Sequence, residues 1–348
     1  MSRTSRKLEH VKLAMETAND AVSSFHDVQF VHQALPEADL EEISLSSSIG
    51  GLFLSSPIII NAMTGGSDET KKINENLALL VRETGLSIAV GSQMSALKHR
   101  EYLNSYQIVR KINPKAMIFA NLGAEATTEQ AKEAIEMIEA NALQIHLNVI
   151  QELIMPEGDR NFKGTLERIR AIREEIPVPL IIKEVGFGIS KETARKLHDN
   201  GISIIDTGGK GGTNFAVIEN RRRNKPLLFF NEWGLDTVAS ILEVKTVEGI
   251  EVIATGGVKD SLDIAKAIGL GASAVGMAGT ILSVLMKKQL KGAIEYVENL
   301  HQELKMIMTV LGAAQPSEIR KKPMVVSGKL KDWCELRDLP VKSFANRF

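Results

Sequence analysis

The sequence predicts an α/β fold in which eight parallel strands, alternating with helices, close into a (β/α)8 TIM barrel. Eight short runs rich in Ile, Val and Ala alternate with segments whose apolar residues recur at helical spacing. Strands that alternate with helices form parallel sheets, and eight such units in about 250 residues are typical of this barrel. An open doubly wound sheet, the main alternative, is disfavoured because no GxGxxG pattern follows the first strand.

Each predicted strand ends in glycine or a polar residue. In chain order the strands are 57–64, 87–93, 116–124, 142–148, 179–186, 203–209, 251–257 and 274–279. Successive strands begin 23 to 37 residues apart, except for a gap of 48 residues before the seventh, which indicates an insertion at 210–235. We expect one domain, with an N-terminal cap segment (1–56), the barrel (57–311) and a C-terminal extension (312–348).

The composition is that of an ordinary globular protein. The chain has 348 residues, of which 44% are hydrophobic and 24% charged, and a formal net charge of -1. A charge this small gives no general attraction to nucleic acid or anionic membranes. The single cysteine, Cys334, excludes an internal disulfide and a cysteine-based zinc site. With no predicted secretory signal and no apolar run of about 20 residues, we expect a cytoplasmic protein.

The fourth predicted strand carries polar residues on one face. Gln144, His146 and Asn148 alternate with apolar residues, and Gln151 and Glu152 follow in the next loop. Buried polar groups without partners cost about 1–3 kcal/mol each, so these side chains should contact one another, water or a ligand. In a barrel, the C-terminal strand ends form the active-site mouth. We therefore expect Gln144 to lie low in the barrel and His146 and Asn148 near the rim, in either a hydrogen-bond network or a ligand site.

The other strand ends favour the ligand site, because each of them is polar or rich in glycine. The segments 255–257 (TGG) and 276–280 (GMAGT) end the last two strands, where barrels commonly bind phosphate. Lys183 ends the fifth strand and shares a face with Ile181, so it should point inward. Lysine at such a position usually balances an anion or forms a Schiff base.

Two basic segments are less specific. Arg6, Lys7 and His10 fall on one face of a predicted helix and could clasp an anion, although such a face is more often solvated. The run RRR at 221–223 is interpreted as solvated too.

Several segments together resemble the type 2 isopentenyl-diphosphate isomerases, FMN-dependent barrel enzymes of isoprenoid synthesis. The resemblance runs from about Arg6 to Ala314, and HLNxxQE is its most diagnostic piece. The matching segments are RKLEH, INAMTGG, VGSQMSAL, ANLGA, LQIHLNVIQELIMPEGDRNF, IIKEVGFG, DTGGKGGTNF and IATGGV.

The resemblance implies a set of site residues. The flavin would contact Ala62, Met63, Thr64, Ser92, Asn121, Lys183 and Thr213, and its phosphate would be held by Gly256, Gly257, Ala278 and Gly279. The substrate would contact Arg6, Lys7, His10, Ser92, Gln93, Met94, His146, Asn148 and Gln151. Glu152 would bind Mg²⁺, and the catalytic set would be His146, Asn148, Gln151 and Lys183.

One position departs from the family pattern. Some members carry an arginine after the Ser–Gln pair of the second strand, whereas this chain has Met94. The diphosphate contact expected there would have to come from Arg6, Lys7 or Arg100.

The implied reaction moves the double bond of isopentenyl diphosphate to give dimethylallyl diphosphate, with reduced FMN as acid and base. NADPH would serve as reductant, and the resemblance also implies a homo-oligomer, a tetramer or octamer. An alternative is an FMN oxidoreductase of the 2-hydroxy-acid oxidase or IMP-dehydrogenase-like class. Those enzymes need a catalytic histidine near a GGR, or a cysteine in the loop after strand six, and 206–215 (DTGGKGGTNF) has neither. A third hypothesis is a non-catalytic flavin- or phosphate-binding barrel, which would have little use for Glu152 beside Gln151.

Overall fold

A computed structural model describes residues 24–347, and its eight central strands form a closed parallel barrel. The strands are β1 (Val28–Phe30), β2 (Ser47–Ile49), β3 (Leu52–Leu54), β4 (Ile58–Ile60), β5 (Ser87–Ala89), β6 (Ile118–Gly123), β7 (Ala142–Leu147), β8 (Leu180–Glu184), β9 (Ile204–Asp206), β10 (Glu251–Thr255), β11 (Ala274–Met277) and β12 (Met324–Val326). Strands β4 to β11 pair in chain order, and β11 closes the ring on β4. All eight lie within the predicted runs, so the predicted fold is confirmed.

Helices follow the strands on the outside of the barrel. They are α1 (Asp68–Thr84), α2 (Met94–Lys98), α3 (Asn104–Ile112), α4 (Thr128–Met137), α5 (Val149–Ile154), α6 (Thr165–Glu175), α7 (Lys191–Asp199), α8 (Phe215–Asn220), α9 (Thr237–Lys245), α10 (Ser261–Gly269), α11 (Gly279–Leu311), α12 (Pro316–Ile319), α13 (Gly328–Leu336) and α14 (Val341–Ala345). Within residues 24–347, no helix is both long and apolar enough to cross a membrane.

Local sequence explains where several helices begin. Thr127 and Gln130 form a capping box at α4, and Ser190 accepts a hydrogen bond from the Thr193 amide at α7. These contacts satisfy amides that have no partner within the helix. Thr127 and Ser190 therefore fix where α4 and α7 begin.

The N-terminal end of the barrel is closed by an apolar plug. The hairpin β2–β3 inserts Ile49 and Leu54, both fully buried. They join a layer of inward-facing side chains: Ile59, Ala89, Phe119, Ala142, Ile181, Ile204, Ile253 and Ala274. Gly50, with φ +56°, forms the turn of the hairpin directly against Ile204, where a Cβ atom would clash. The described part of the N-terminal segment thus seals the end opposite the mouth.

The two chain extensions meet on the outside of the barrel. β1 pairs antiparallel with β12. Helix α13 is tied to the barrel helices by Arg337, whose guanidinium contacts Glu192 at 2.6 Å and buried Glu243 at 2.8 Å. The C-terminal extension therefore packs onto the barrel.

The insertion at 210–235 is ordered by its arginines. Arg222 forms ion pairs with Glu219 and with Glu157, the latter at 2.7 Å, and Arg223 donates to the Ile154 carbonyl at 2.6 Å. The interpretation of 221–223 as a solvated run is therefore wrong for these two residues. Their side chains join the insertion, including α8, to α5.

Candidate active site

A cavity of about 770 Å³ lies at the C-terminal ends of the barrel strands. It is lined by residues from the loops after every barrel strand. Fifteen of the predicted site residues lie in its wall: Ala62, Met63, Ser92, Met94, Asn121, His146, Asn148, Gln151, Glu152, Lys183, Thr213, Gly256, Gly257, Ala278 and Gly279. The barrel therefore brings most of the predicted site to one place.

Two predicted contact residues lie behind the wall. Gln93 is fully buried, and its amide donates to the Ala134 carbonyl at 2.8 Å and accepts from the Asn121 amide at 3.0 Å. The Thr64 hydroxyl donates to Asn74 Oδ1 at 2.5 Å. Both side chains are therefore engaged away from the cavity, and the predicted ligand contacts of these two residues stay predictions.

Three further predicted residues, Arg6, Lys7 and His10, lie outside the described residues. Their role in substrate binding stays a prediction. Arg100 is one of the residues expected to replace the arginine that some family members carry at the position of Met94. It does not line the cavity and is ion-paired with Glu133.

The floor of the cavity is a chain of hydrogen bonds across the barrel. His146 Nδ1 donates to Asn121 Oδ1 and Asn121 Nδ2 donates to Gln144 Oε1, both at 3.1 Å. Gln144 Nε2 then donates to Asn61 Oδ1 at 3.1 Å, and Asn61 Nδ2 donates to Asp206 Oδ2 at 2.6 Å. The lower polar residues thus satisfy one another, while His146 also lines the cavity. The hydrogen-bond network is thus confirmed for the lower residues, and the ligand site stays a prediction for the residues at the rim.

Lys183 points into the cavity as predicted. It is only 7% exposed, and its ammonium donates to the Glu184 carbonyl oxygen at 2.7 Å. The Glu184 carboxylate accepts three backbone N–H groups through one oxygen, from Val185, Gly186 and Phe187, at 2.7, 2.8 and 2.5 Å. These bonds fix the loop after β8 and hold the lysine at the strand end.

The glycine-rich loops after β9 and β10 pack backbone to backbone. Gly257, with φ +70°, lies directly against Gly211, and a Cβ atom on Gly212 would lie 2.8 Å from the Gly257 nitrogen. Glycine is required at Gly257 because a side chain would be both strained and blocked. Glycines of both loops line the cavity, so no side chain separates their backbone from it.

The third part of this wall is the N-terminus of α11. The helix begins at Gly279, and Ala278 provides no side-chain cap. Gln289, with φ +59°, interrupts the helix, so residues 279–288 form a separate short segment. Uncapped amides at a helix N-terminus favour an anion. Together with the glycine loops, they fit the phosphate of a flavin nucleotide.

Gln151 is oriented by a residue that the sequence did not indicate. Its side-chain amide donates to Glu219 Oε1 at 3.2 Å, and the other carboxylate oxygen of Glu219 is paired with Arg222. Glu219 is fully buried in α8. The insertion thus reaches the site through Glu219.

Glu152 is the predicted metal ligand, and each of its two carboxylate oxygens accepts a hydrogen bond from a different donor. Oε1 accepts from Asn148 Nδ2 and Oε2 from the Asp159 amide, both at 2.8 Å. The part of the chain between residues 24 and 347 contains no group of three or more acidic, His or Cys side chains arranged to hold a metal. One carboxylate suits Mg²⁺, which usually keeps waters and is shared with substrate phosphates.

Comparisons with known proteins identify the family of this chain. The family model described as FMN-dependent dehydrogenase matches residues 81–326. An isopentenyl-diphosphate delta-isomerase of Bacillus pumilus is 50% identical over 349 residues, covering 100% of this chain and 98% of its own length. The isomerase of the same name from Bacillus licheniformis is 51% identical over 339 residues and covers 97% of both chains.

Solved structures share the fold at much lower identity. A lactate oxidase of Pediococcus acidilactici superposes with a TM-score of 0.66 at 18% identity, covering 92% of this chain and 87% of its own. A mandelate oxidase variant gives 0.64 at 17% identity, covering 93% and 95%. These likenesses concern the barrel alone, whereas the full-length matches are to isomerases. The chain therefore belongs to the FMN-dependent dehydrogenase family and, within it, to the isopentenyl-diphosphate delta-isomerases.

Proposed function

We propose that this protein interconverts isopentenyl diphosphate and dimethylallyl diphosphate by a 1,3-allylic proton shift, with reduced FMN as acid and base and Mg²⁺ on the diphosphate. The observation that carries the proposal is one cavity in which four residues of the HLNxxQE motif, His146, Asn148, Gln151 and Glu152, line the wall together with Lys183. The full-length identity to proteins named for this reaction supports it.

The glycine wall would hold the cofactor. Backbone amides near Gly256 and Gly257 and the uncapped start of α11 fit its phosphate. FMN, when bound and reduced, supplies a ring position that can give and accept a proton at the substrate. The protein supplies binding, orientation and electrostatics.

Lys183 would place a positive charge beside the flavin. It is buried and held by the Glu184 carbonyl, so its ammonium is fixed before any ligand binds. A fixed cation in a site with little water stabilises a developing negative charge more strongly than a mobile one.

His146, Asn148 and Gln151 would hold the substrate. His146 is fixed through Asn121 and Gln151 through Glu219, so both polar groups face the cavity in one orientation. A proton transfer requires its partners to be held within hydrogen-bond distance. We assign Gln151 to orienting the reacting group, because an amide is a poor acid.

Glu152 would bind Mg²⁺ jointly with the substrate diphosphate. Its orientation by Asn148 and the Asp159 amide leaves each oxygen a further lone pair for the cation. The same proposal includes NADPH as reductant of the flavin and a homo-oligomer of four or eight chains, both supported by resemblance alone. The cytoplasmic location stays a prediction.

The second candidate, an FMN-dependent 2-hydroxy-acid oxidase, is favoured only by the shared barrel. The loop after β9 has no histidine that could serve as the catalytic histidine of such an oxidase, and it also lacks the cysteine expected of an IMP-dehydrogenase-like enzyme. Oxygen consumption with lactate and mandelate would distinguish the two functions.

The direct test is anaerobic incubation with isopentenyl diphosphate, FMN, NADPH and Mg²⁺, with product analysis. We expect dimethylallyl diphosphate to accumulate to equilibrium without net NADPH consumption beyond flavin reduction. A yellow, correctly folded protein that forms none of this product would refute the proposal.

A further inference from the structure

Three lysines of the described chain line the cavity, and each lies on a different wall. Lys183 is buried at the end of β8, and Lys259 follows the glycines after β10. Lys98 is the last residue of α2, after β5, and its side chain is exposed. Lys183 and Lys259 lie next to residues of the predicted flavin site. Lys98 is the lysine to which the site described above assigns no role.

Lys98 lies one helical turn after Met94. Residues four apart share a helix face, and both side chains line the cavity. Met94 is 7% exposed and uncharged. The positive charge on this wall is therefore that of Lys98, one helical turn further along. A lysine stem is long enough to lie along an apolar surface while its ammonium reaches into water.

The neighbouring wall is acidic. Glu125, Glu152 and Asp159 line the same cavity. Burial raises the pKa of Glu125, the charges of Glu152 and Asp159 raise it further, and the charge of Lys98 lowers it. Lys98 therefore shares one cavity with the predicted metal ligand and the two carboxylates near it. Within residues 24–347, Lys98 makes no ion pair that would occupy its ammonium.

A diphosphate brought to Glu152 by a metal ion would meet repulsion from the other two carboxylates. A charge-assisted hydrogen bond from a lysine offsets such repulsion. Arg100 is unsuitable, since it is paired with Glu133 away from the cavity.

We propose that Lys98 binds the diphosphate of the substrate on the α2 wall, in the place left by the uncharged Met94. This inference rests on the proposed isomerase function. It makes Lys98 a substrate-binding residue that sets affinity for the diphosphate and not for FMN.

The test uses the FMN-loaded protein and inorganic pyrophosphate with Mg²⁺, titrated by calorimetry. We expect Lys98→Met to weaken pyrophosphate binding about tenfold, and Lys98→Arg to stay within about threefold of the wild type. Lys115→Met is the matched control, because Lys115 is an exposed lysine in the turn before β6, at the opposite end of the barrel. It should bind pyrophosphate as the wild type does.

In turnover, Lys98→Met should raise the KM for isopentenyl diphosphate about tenfold with little change in kcat. FMN affinity should be unchanged. Pyrophosphate affinity equal to that of the wild type would overturn the proposal, even if all variants are active. A wild type without isomerase activity would refute the proposed function, whereas the pyrophosphate titration would still decide whether Lys98 binds a diphosphate.

Discussion

The two ends of the barrel are built from the same strands but have opposite chemistry. At the N-terminal end, the β2–β3 hairpin and inward residues such as Phe119 and Ile204 form a closed apolar layer. At the C-terminal end, residues two or more positions further along the same strands, such as Asn121 on β6, are polar and line a cavity.

The difference assigns separate tasks to the two ends. Apolar burial at the closed end stabilises the ring, at about 25 cal/mol per Å² removed from water. That stability permits the open end to hold polar and charged groups that contribute little to folding. The floor from His146 to Asp206 separates the two ends, and its groups are satisfied by one another. Substitutions at the closed end should therefore change the free energy of unfolding. Substitutions at the open end should change ligand binding and turnover.

Phe119→Ala tests the closed end and should have the largest effect. Phe119 is fully buried on β6, so its truncation should lower the free energy of unfolding by about 3–5 kcal/mol. Urea unfolding measures this. The matched control is Phe53→Ala on β3, where the side chain is 64% exposed and the loss should be small. If the folded Phe119 variant lost FMN binding, the separation of the two ends would be wrong.

Glu152→Gln tests the open end. Removing the charge that would bind Mg²⁺ should lower kcat by about 100-fold or more, equal to about 3 kcal/mol of activation free energy. Flavin absorbance and unfolding should be unchanged, and the Mg²⁺ dependence of turnover should weaken. The control is Glu167→Gln on the exposed face of α6. Activity at the wild-type level would refute the metal assignment.

Lys183→Ala should act on the flavin. Loss of the buried ammonium should weaken FMN binding by about tenfold or slow its reduction by NADPH. Flavin fluorescence titration and stopped-flow reduction distinguish these effects. Lys115→Ala serves as control. A variant that binds and reduces FMN normally would show that Lys183 is not part of the flavin site.

Glu219→Gln should lower turnover less than Glu152→Gln does, because Glu219 acts through Gln151. With a weaker acceptor for the Gln151 amide, kcat should fall about tenfold, while KM and FMN affinity stay near the wild-type values. Glu157→Gln is the control, since it removes the other partner of Arg222 and leaves Gln151 untouched. Equal kcat in both variants would exclude a positioning role for Glu219.

These residues also show what the sequence could predict. The strands are predictable because the barrel imposes regular spacing and period-two patterns, which are local properties. The residues at their C-terminal ends could be placed in one mouth for the same reason. His146, Lys183 and Gly256 accordingly lie where they were expected.

The structure differs from the sequence-based expectations where the local pattern no longer determines the direction of a side chain. β5 ends at Ala89, so period two no longer governs Gln93, whose side chain turns into the barrel wall. Glu219 is 68 residues from Gln151 along the chain, and only the folded insertion joins them. The sequence around Arg222 and Arg223 resembles a solvated charged run. Only the fold shows that Arg223 contacts Ile154 on α5 and that Arg222 pairs with Glu157.

The smallest predicted effect concerns Glu184, at the border between stability and function. Burial raises its pKa from 4.5 to about 7, outweighing the three backbone hydrogen bonds and Lys183, which lower it. Between these two values the folded state binds more protons than the unfolded state. The stability contributed by protonated Glu184 is thus complete below the unfolded pKa and is lost as pH rises through the folded pKa.

Between about pH 6 and about pH 7, the wild type should therefore lose about 1 kcal/mol more free energy of unfolding than Glu184→Gln. Urea unfolding of both proteins at the two pH values measures the difference, and Glu167→Gln should follow the wild type. If wild type and Glu184→Gln showed the same pH dependence, the carboxylate would already be ionised at pH 6. The three backbone amides and Lys183 would then outweigh burial, and the loop after β8 would be held by a charged cap throughout the working range.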